Sequence, residues 1–102
     1  MDEVPVGFHV DNVRWAPDGT ILAAGPSGTA TAWIVDCLME RKCSGSTSTI
    51  AKVDPHTLKY KILVSFPSHL DVFVGGTSAL QVGKEIWSGQ MRGDRIARYP
   101  VK

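Results

Sequence analysis

Gly19-Thr20-Ile21-Leu22-Ala23-Ala24-Gly25 and Gly83-Lys84-Glu85-Ile86-Trp87-Ser88-Gly89 share their glycine spacing and apolar placement, and each follows a strand-like run that enters the turn. A strand, a glycine turn, a second strand and a closing glycine, repeated once, signal stacked or radial antiparallel units. Ahead of the first copy, Val13-Arg14-Trp15-Ala16 runs into Pro17-Asp18-Gly19. Proline presets φ, aspartate bonds its own backbone and glycine accepts positive φ, so this segment predicts a hairpin. Gly25-Pro26-Ser27-Gly28 is expected to end it.

Between the copies, Trp33 with Cys37, Ile34 with Leu38 and Val35 with Met39 fall at i, i+4, which predicts a short helix within 30–41 although Trp, Ile and Val favour strands. Residues 42–48 are small and polar and read as loop. A second hairpin follows, 49–53 turning through Asp54-Pro55-His56-Thr57 into 58–64. There Leu58, Tyr60, Ile62 and Val64 alternate with Lys59, Lys61 and Leu63, the period of a half-buried strand. After a loop at 67–73, strands are predicted at 77–82, 85–88 and 95–99. Gly93 serves the last turn, so Arg92-Gly93-Asp94 reads as a hairpin and not as an adhesion tripeptide.

The fold expected is all-β, a partial propeller of about two antiparallel blades with a short helical insert. It forms one domain over 1–102, with units at 11–66 and 75–100. A blade buries both faces against neighbours, and two blades share one such contact. Two apolar faces are therefore left over, and such patches mark interfaces. The second unit has three strands, and its open edge invites another chain or residues 4–9. Trp15 and Trp87 read as core residues between units.

Eleven basic and ten acidic residues leave a net charge of +1, without the basic face of a nucleic-acid binder. No run of about 18 apolar residues spans a bilayer, and Met1-Asp2-Glu3-Val4-Pro5 lacks the pattern of a signal peptide. The expectation is a soluble, unexported, cytoplasmic protein. Cys37 and Cys43 are not spaced as a zinc or redox pair and read as free thiols.

The stretch His9-Val10-Asp11-Asn12-Val13-Arg14-Trp15-Ala16-Pro17-Asp18-Gly19, continuing to Gly25, resembles the segment opening a late blade of the paraoxonase (arylesterase), strictosidine synthase-like and gluconolactonase-like six-bladed propellers. Gly76-Thr77-Ser78-Ala79-Leu80-Gln81-Val82, continuing through Gly89 and 95–99, looks like the closing blade. The resemblance implies the last two of six blades, a calcium ion in the channel, and lactonase or arylesterase chemistry on a small molecule. It makes Asp11 and Asn12 calcium ligands, and a strand-entry turn is the other reading of that pair. Calcium takes six to eight oxygens, so one pair cannot hold it; three copies closing a ring would bring three pairs to the axis. A homo-oligomer, such as a trimer, is thus expected.

The family's catalytic histidines belong to earlier blades and do not carry over to His9, His56 or His69. Its catalytic glutamate would fall near Thr77 or Ser78, where no carboxylate stands. His56 and the His69-Asp71 neighbours read as surface residues, and His9 as a candidate for the channel mouth beside Asp11-Asn12. The alternative function is a non-catalytic oligomeric module, binding a ligand or partner, derived from such an enzyme.

Overall fold

Pro17-Asp18-Gly19 closes the first hairpin as its chemistry requires. In the computed structural model, which describes residues 2–27, 47–67, 73–93 and 96–100, β1 (Asn12–Trp15) pairs antiparallel with β2 (Ile21–Ser27). The Gly19 amide donates to the Ala16 carbonyl at 3.1 Å, the Ala16 amide to the Thr20 carbonyl at 2.8 Å, and Gly19 has φ +83°. This is a type I turn followed by a left-handed residue, whose twist suits a three-residue hairpin loop.

The turn is also tied to the sheet. Asp18 accepts hydrogen bonds from the Thr20 amide at 3.1 Å and hydroxyl at 2.5 Å, and from Lys52 Nζ at 2.6 Å. The Lys52 bond first, then those from Thr20, hold the Asp18 carboxyl well below the usual carboxylate range. A depressed folded value means that the stabilisation is complete above the unfolded value of about 3.9 and fades as pH falls toward the folded one. Asp18→Asn is therefore expected to lower the melting temperature modestly at pH 7. The gap from wild type should close progressively below about pH 4. A gap of constant size down to pH 2 would show that the carboxylate contributes nothing through its charge.

The second hairpin joins β3 (Thr47–Val53) to β4 (Tyr60–Pro67). Asp54 Oδ1 accepts from the His56 amide at 2.8 Å and the Thr57 amide at 3.2 Å, and these bonds pull its pKa down. Leu58, at φ +61°, donates its amide to the Asp54 carbonyl and closes the loop in a left-handed conformation unusual for a bulky residue. Then come β5 (Phe73–Val82), β6 (Glu85–Gly93) and β7 (Ala97–Pro100). Gly83, at φ +60°, begins the two-residue loop between Val82 and Glu85, the role of glycine in a type II′ turn. The result is all-β among the described residues: one antiparallel sheet in the order β1-β2-β3-β4 and a second in the order β5-β6-β7. The helix expected within 30–41 lies outside the described residues.

Several strand limits differ from the sequence reading. β2 does not stop at Gly25 but continues through Pro26 and Ser27. Proline is tolerated there because its nitrogen faces the side where β1 has ended, so no ladder bond is lost. β3 begins at Thr47, inside the expected loop, and β5 begins at Phe73, ahead of the start predicted at 77. The β4 alternation also breaks. Ile50 pairs with Val64 but Ala51 with Ile62, so Leu63 is an extra residue and the pattern changes phase. Leu63 and Val64 pack on the core, whereas Tyr60 and Ile62 face outward, 45% and 41% exposed.

Residues paired in register share a face, so the two faces of the first sheet can be read off directly. The inner one carries Leu22, Ala24 and Ile50, which form one buried cluster with Ala16, Ala79 and Ile86. β5 lies across β1, β2 and β3 and brings the second sheet onto this face. Tyr99 packs against the cluster, and burial pushes its phenol pKa up to about 12. Leu22 and Ile86 occupy equivalent places in the two glycine repeats, so like faces of the two units meet in a single core.

Candidate functional site

Asp11 and Asn12 stand where the chain enters β1. Asn12 is in register with Ala24, yet the Asp11 amide also donates to the Ala24 carbonyl at 2.9 Å. Two residues therefore oppose one, the geometry of a β-bulge. On β5, Gly76 pairs with Gln90 and Ser78 with Gly89, which leaves Thr77 as the extra residue of a second bulge. Its carbonyl accepts a hydrogen bond of 2.7 Å from Asn12 Nδ2, across 65 positions of sequence. The two places singled out from sequence, Asn12 and Thr77, thus meet in space and tie the sheets together.

Asp11 and Asn12 are both exposed. The pair offers a carboxylate and one amide oxygen, while the nearby Thr77 carbonyl is already engaged by the Asn12 amide group. Among the described residues no group of three His, Cys, Asp or Glu side chains could hold a metal ion. Six to eight oxygens are needed for calcium, and the described donors at this place do not make up that number by themselves.

The remaining sequence candidates do not converge on this place. His9 is exposed and donates its amide to the Pro26 carbonyl at 2.9 Å, which runs the N-terminal segment along β2 and not along the second sheet. His56 is exposed in the second hairpin loop. His69, Asp71, Cys37, Cys43 and Trp33 lie outside the described residues. Gly93 is the last residue of β6, and Asp94 lies outside the described residues. No helix among the described residues is long and apolar enough to cross a membrane.

No family model, curated protein or solved structure matches this chain.

Two corrections concern the aromatic residues. Trp15 and Trp87 are not core residues of this chain: they are 67% and 38% exposed on the outward faces of the first and second sheets. The reason is register, since Trp15 pairs with Ile21 and Trp87 with Leu80, each one residue out of phase with the buried Leu22 and Ile86. On the first sheet, Trp15, Ile21, Val53 and Tyr60 form one cross-strand row, and Val13, Ala23, Ala51 and Ile62 the next. Beyond them, Ser27 bonds Thr47 and Thr49, and Thr49 bonds Ser65, a hydroxyl row satisfied within itself.

On the second sheet, Trp87 lies under the Arg98 guanidinium, 5.8 Å from the ring centroid, and Arg98 Nε lies 3.2 Å from Glu85 Oε2. Beside it is an open cleft of about 330 Å³ lined by Leu80, Val82, Trp87 and Ile96, and by Arg14 of β1. Sequence reading missed Arg14. Its one signal was a cation in a strand between Val13 and Trp15, which alone does not reveal what that strand faces.

Proposed function

We propose that this chain is a non-catalytic self-associating module, in which a second copy covers the outward face of the first sheet. The observation that carries the reading is that face itself. Val13 and Trp15 at one side and Tyr60 and Ile62 at the other remain 41–67% exposed. Its two cross-strand rows are apolar, with Arg14 bordering Trp15 at one edge and Lys59 and Lys61 bordering Tyr60 at the other. Exposed apolar surface of this kind is uncommon on a solitary soluble molecule. Ala23 and Ala51, between these two sides, are themselves buried, so the surface left for a second copy is that of Val13, Trp15, Tyr60 and Ile62. Two copies meet through these residues about a two-fold axis, the apolar rows of one against those of the other.

Light scattering on the eluting protein tests this. One chain weighs 11.0 kDa, so a dimer is expected at twice that, 22 kDa. Trp15→Lys combined with Tyr60→Lys is expected to elute as a folded monomer, because each lysine places a charge in an apolar contact. A wild-type monomer at tens of micromolar would refute the reading.

A second reading is the radial one, a propeller completed by several copies with calcium-dependent lactonase or arylesterase chemistry. The meeting of Asn12 with Thr77 favours it, since the resemblance places both positions at its channel. Against it, radial repetition stacks unlike faces, whereas Leu22 and Ile86 bring like faces together. A trimer whose melting temperature rises with calcium in wild type but not in Asp11→Ala would favour this second reading. We expect calcium to change neither mass nor melting temperature.

A further inference from the structure

We infer that the cleft between β1 and the outward face of the second sheet binds a small carboxylate with an apolar body. Three observations combine. The walls are hydrocarbon left in the open: Leu80, Val82, Trp87 and Ile96 are each 38–67% exposed around one depression. The cleft, at about 330 Å³, is roughly twice the size of a cavity that takes one benzene ring. A body of two fused rings or a medium acyl chain matches that space, at the small end of ligand pockets.

The third observation is charge. Arg98 is committed to Glu85 and to the Trp87 ring. Arg14, which lines the same cleft, makes no hydrogen bond or ion pair with any described residue. Its guanidinium is a planar fork that matches a carboxylate through two parallel N–H···O bonds. A cation unpaired among the described residues, beside an apolar wall, selects one negative charge on an apolar body, and a doubly charged phosphate would lack its second partner. Arg14 also borders Val13, Trp15 and Ile21 of the first sheet, whereas the apolar walls, Leu80, Val82, Trp87 and Ile96, take no part in the outward face of that sheet.

The test is calorimetric titration of the wild-type protein with 2-naphthoate and with its neutral analogue 2-naphthamide. Naphthoate is expected to bind at least tenfold more tightly. Arg14→Gln should bring the two to parity while leaving the melting temperature unchanged, because the exposed Arg14 has no bond to another described residue to lose. Leu80→Ala should weaken both ligands together. Equal affinity of the two ligands for wild type, binding of neither, or a carboxylate preference that survives Arg14→Gln would each overturn the assignment.

Discussion

Gly25→Ala is expected to lower the melting temperature by roughly 15 °C, against the usual sign for such a change. In a strand interior, alanine ordinarily improves on glycine by about 0.5–1 kcal/mol, because glycine loses more backbone freedom on folding. Here a Cβ would fall on the His9 carbonyl oxygen, and would also lie 2.9 Å from the His9 carbonyl carbon and 3.1 Å from the Asp11 nitrogen. All three are backbone atoms of a segment fixed on both sides, by His9 N–H to Pro26 and by Asp11 N–H to Ala24. The segment cannot give without losing those bonds. Overpacking costs of about 1–3 kcal/mol, and more where backbone must move, therefore decide the sign. In a domain of this size about 3 kcal/mol corresponds to the shift stated.

Gly89 is the matched control from the second repeat. A Cβ there would meet only the Ser78 hydroxyl oxygen, at 2.7 Å. A side chain can rotate away, so Gly89→Ala should cost a small fraction as much. Thermal unfolding followed by circular dichroism compares the two. If Gly25→Ala melts within about 2 °C of wild type, the N-terminal segment is not held against β2 as described.

The local chemistry of this fold was legible because turns are written in few residues. Pro17-Asp18-Gly19, Asp54-Pro55 and Gly83 each fix a backbone angle, and each closes a hairpin where expected. The glycine repeat was legible for the same reason: Gly19 and Gly83 both take positive φ. What could not be read was which apolar residues face one another. Val13, Trp15, Tyr60 and Ile62 look as fit for a core as Leu22 and Ile50, since a strand with apolar residues on both sides does not announce its inward side. The bulge at Leu63 then shifted phase within an alternation that looked unbroken. Register is a long-range property, and a slip of one residue exchanges the faces. The Asn12 to Thr77 bond was hidden for the same reason. A polar pair at a strand entry looks alike whether it binds a cation or a carbonyl on another sheet.

That ambiguity about facing gives the double substitution of Leu22 and Ile86 its force. Both side chains are almost wholly buried, at 1% and 2% exposure. Truncation of either to alanine is expected to cost about 3 kcal/mol, a large part of the total stability of so small a domain. The informative quantity is the pair. If the repeats meet through like faces, both truncations open the same core. The second then falls on packing the first has already loosened, and the combined loss should be smaller than the sum by about 1 kcal/mol. If each unit instead packed its Leu22 or Ile86 face against a different neighbour, as in radial stacking, the two losses would add. Urea unfolding of wild type, both single variants and the double variant measures the difference. Trp87→Ala completes the comparison, since its outward ring should cost less than either core truncation. Strict additivity of Leu22→Ala with Ile86→Ala would remove the shared core, and with it the argument that two sheets of one chain close on each other and leave a second copy to cover the rest.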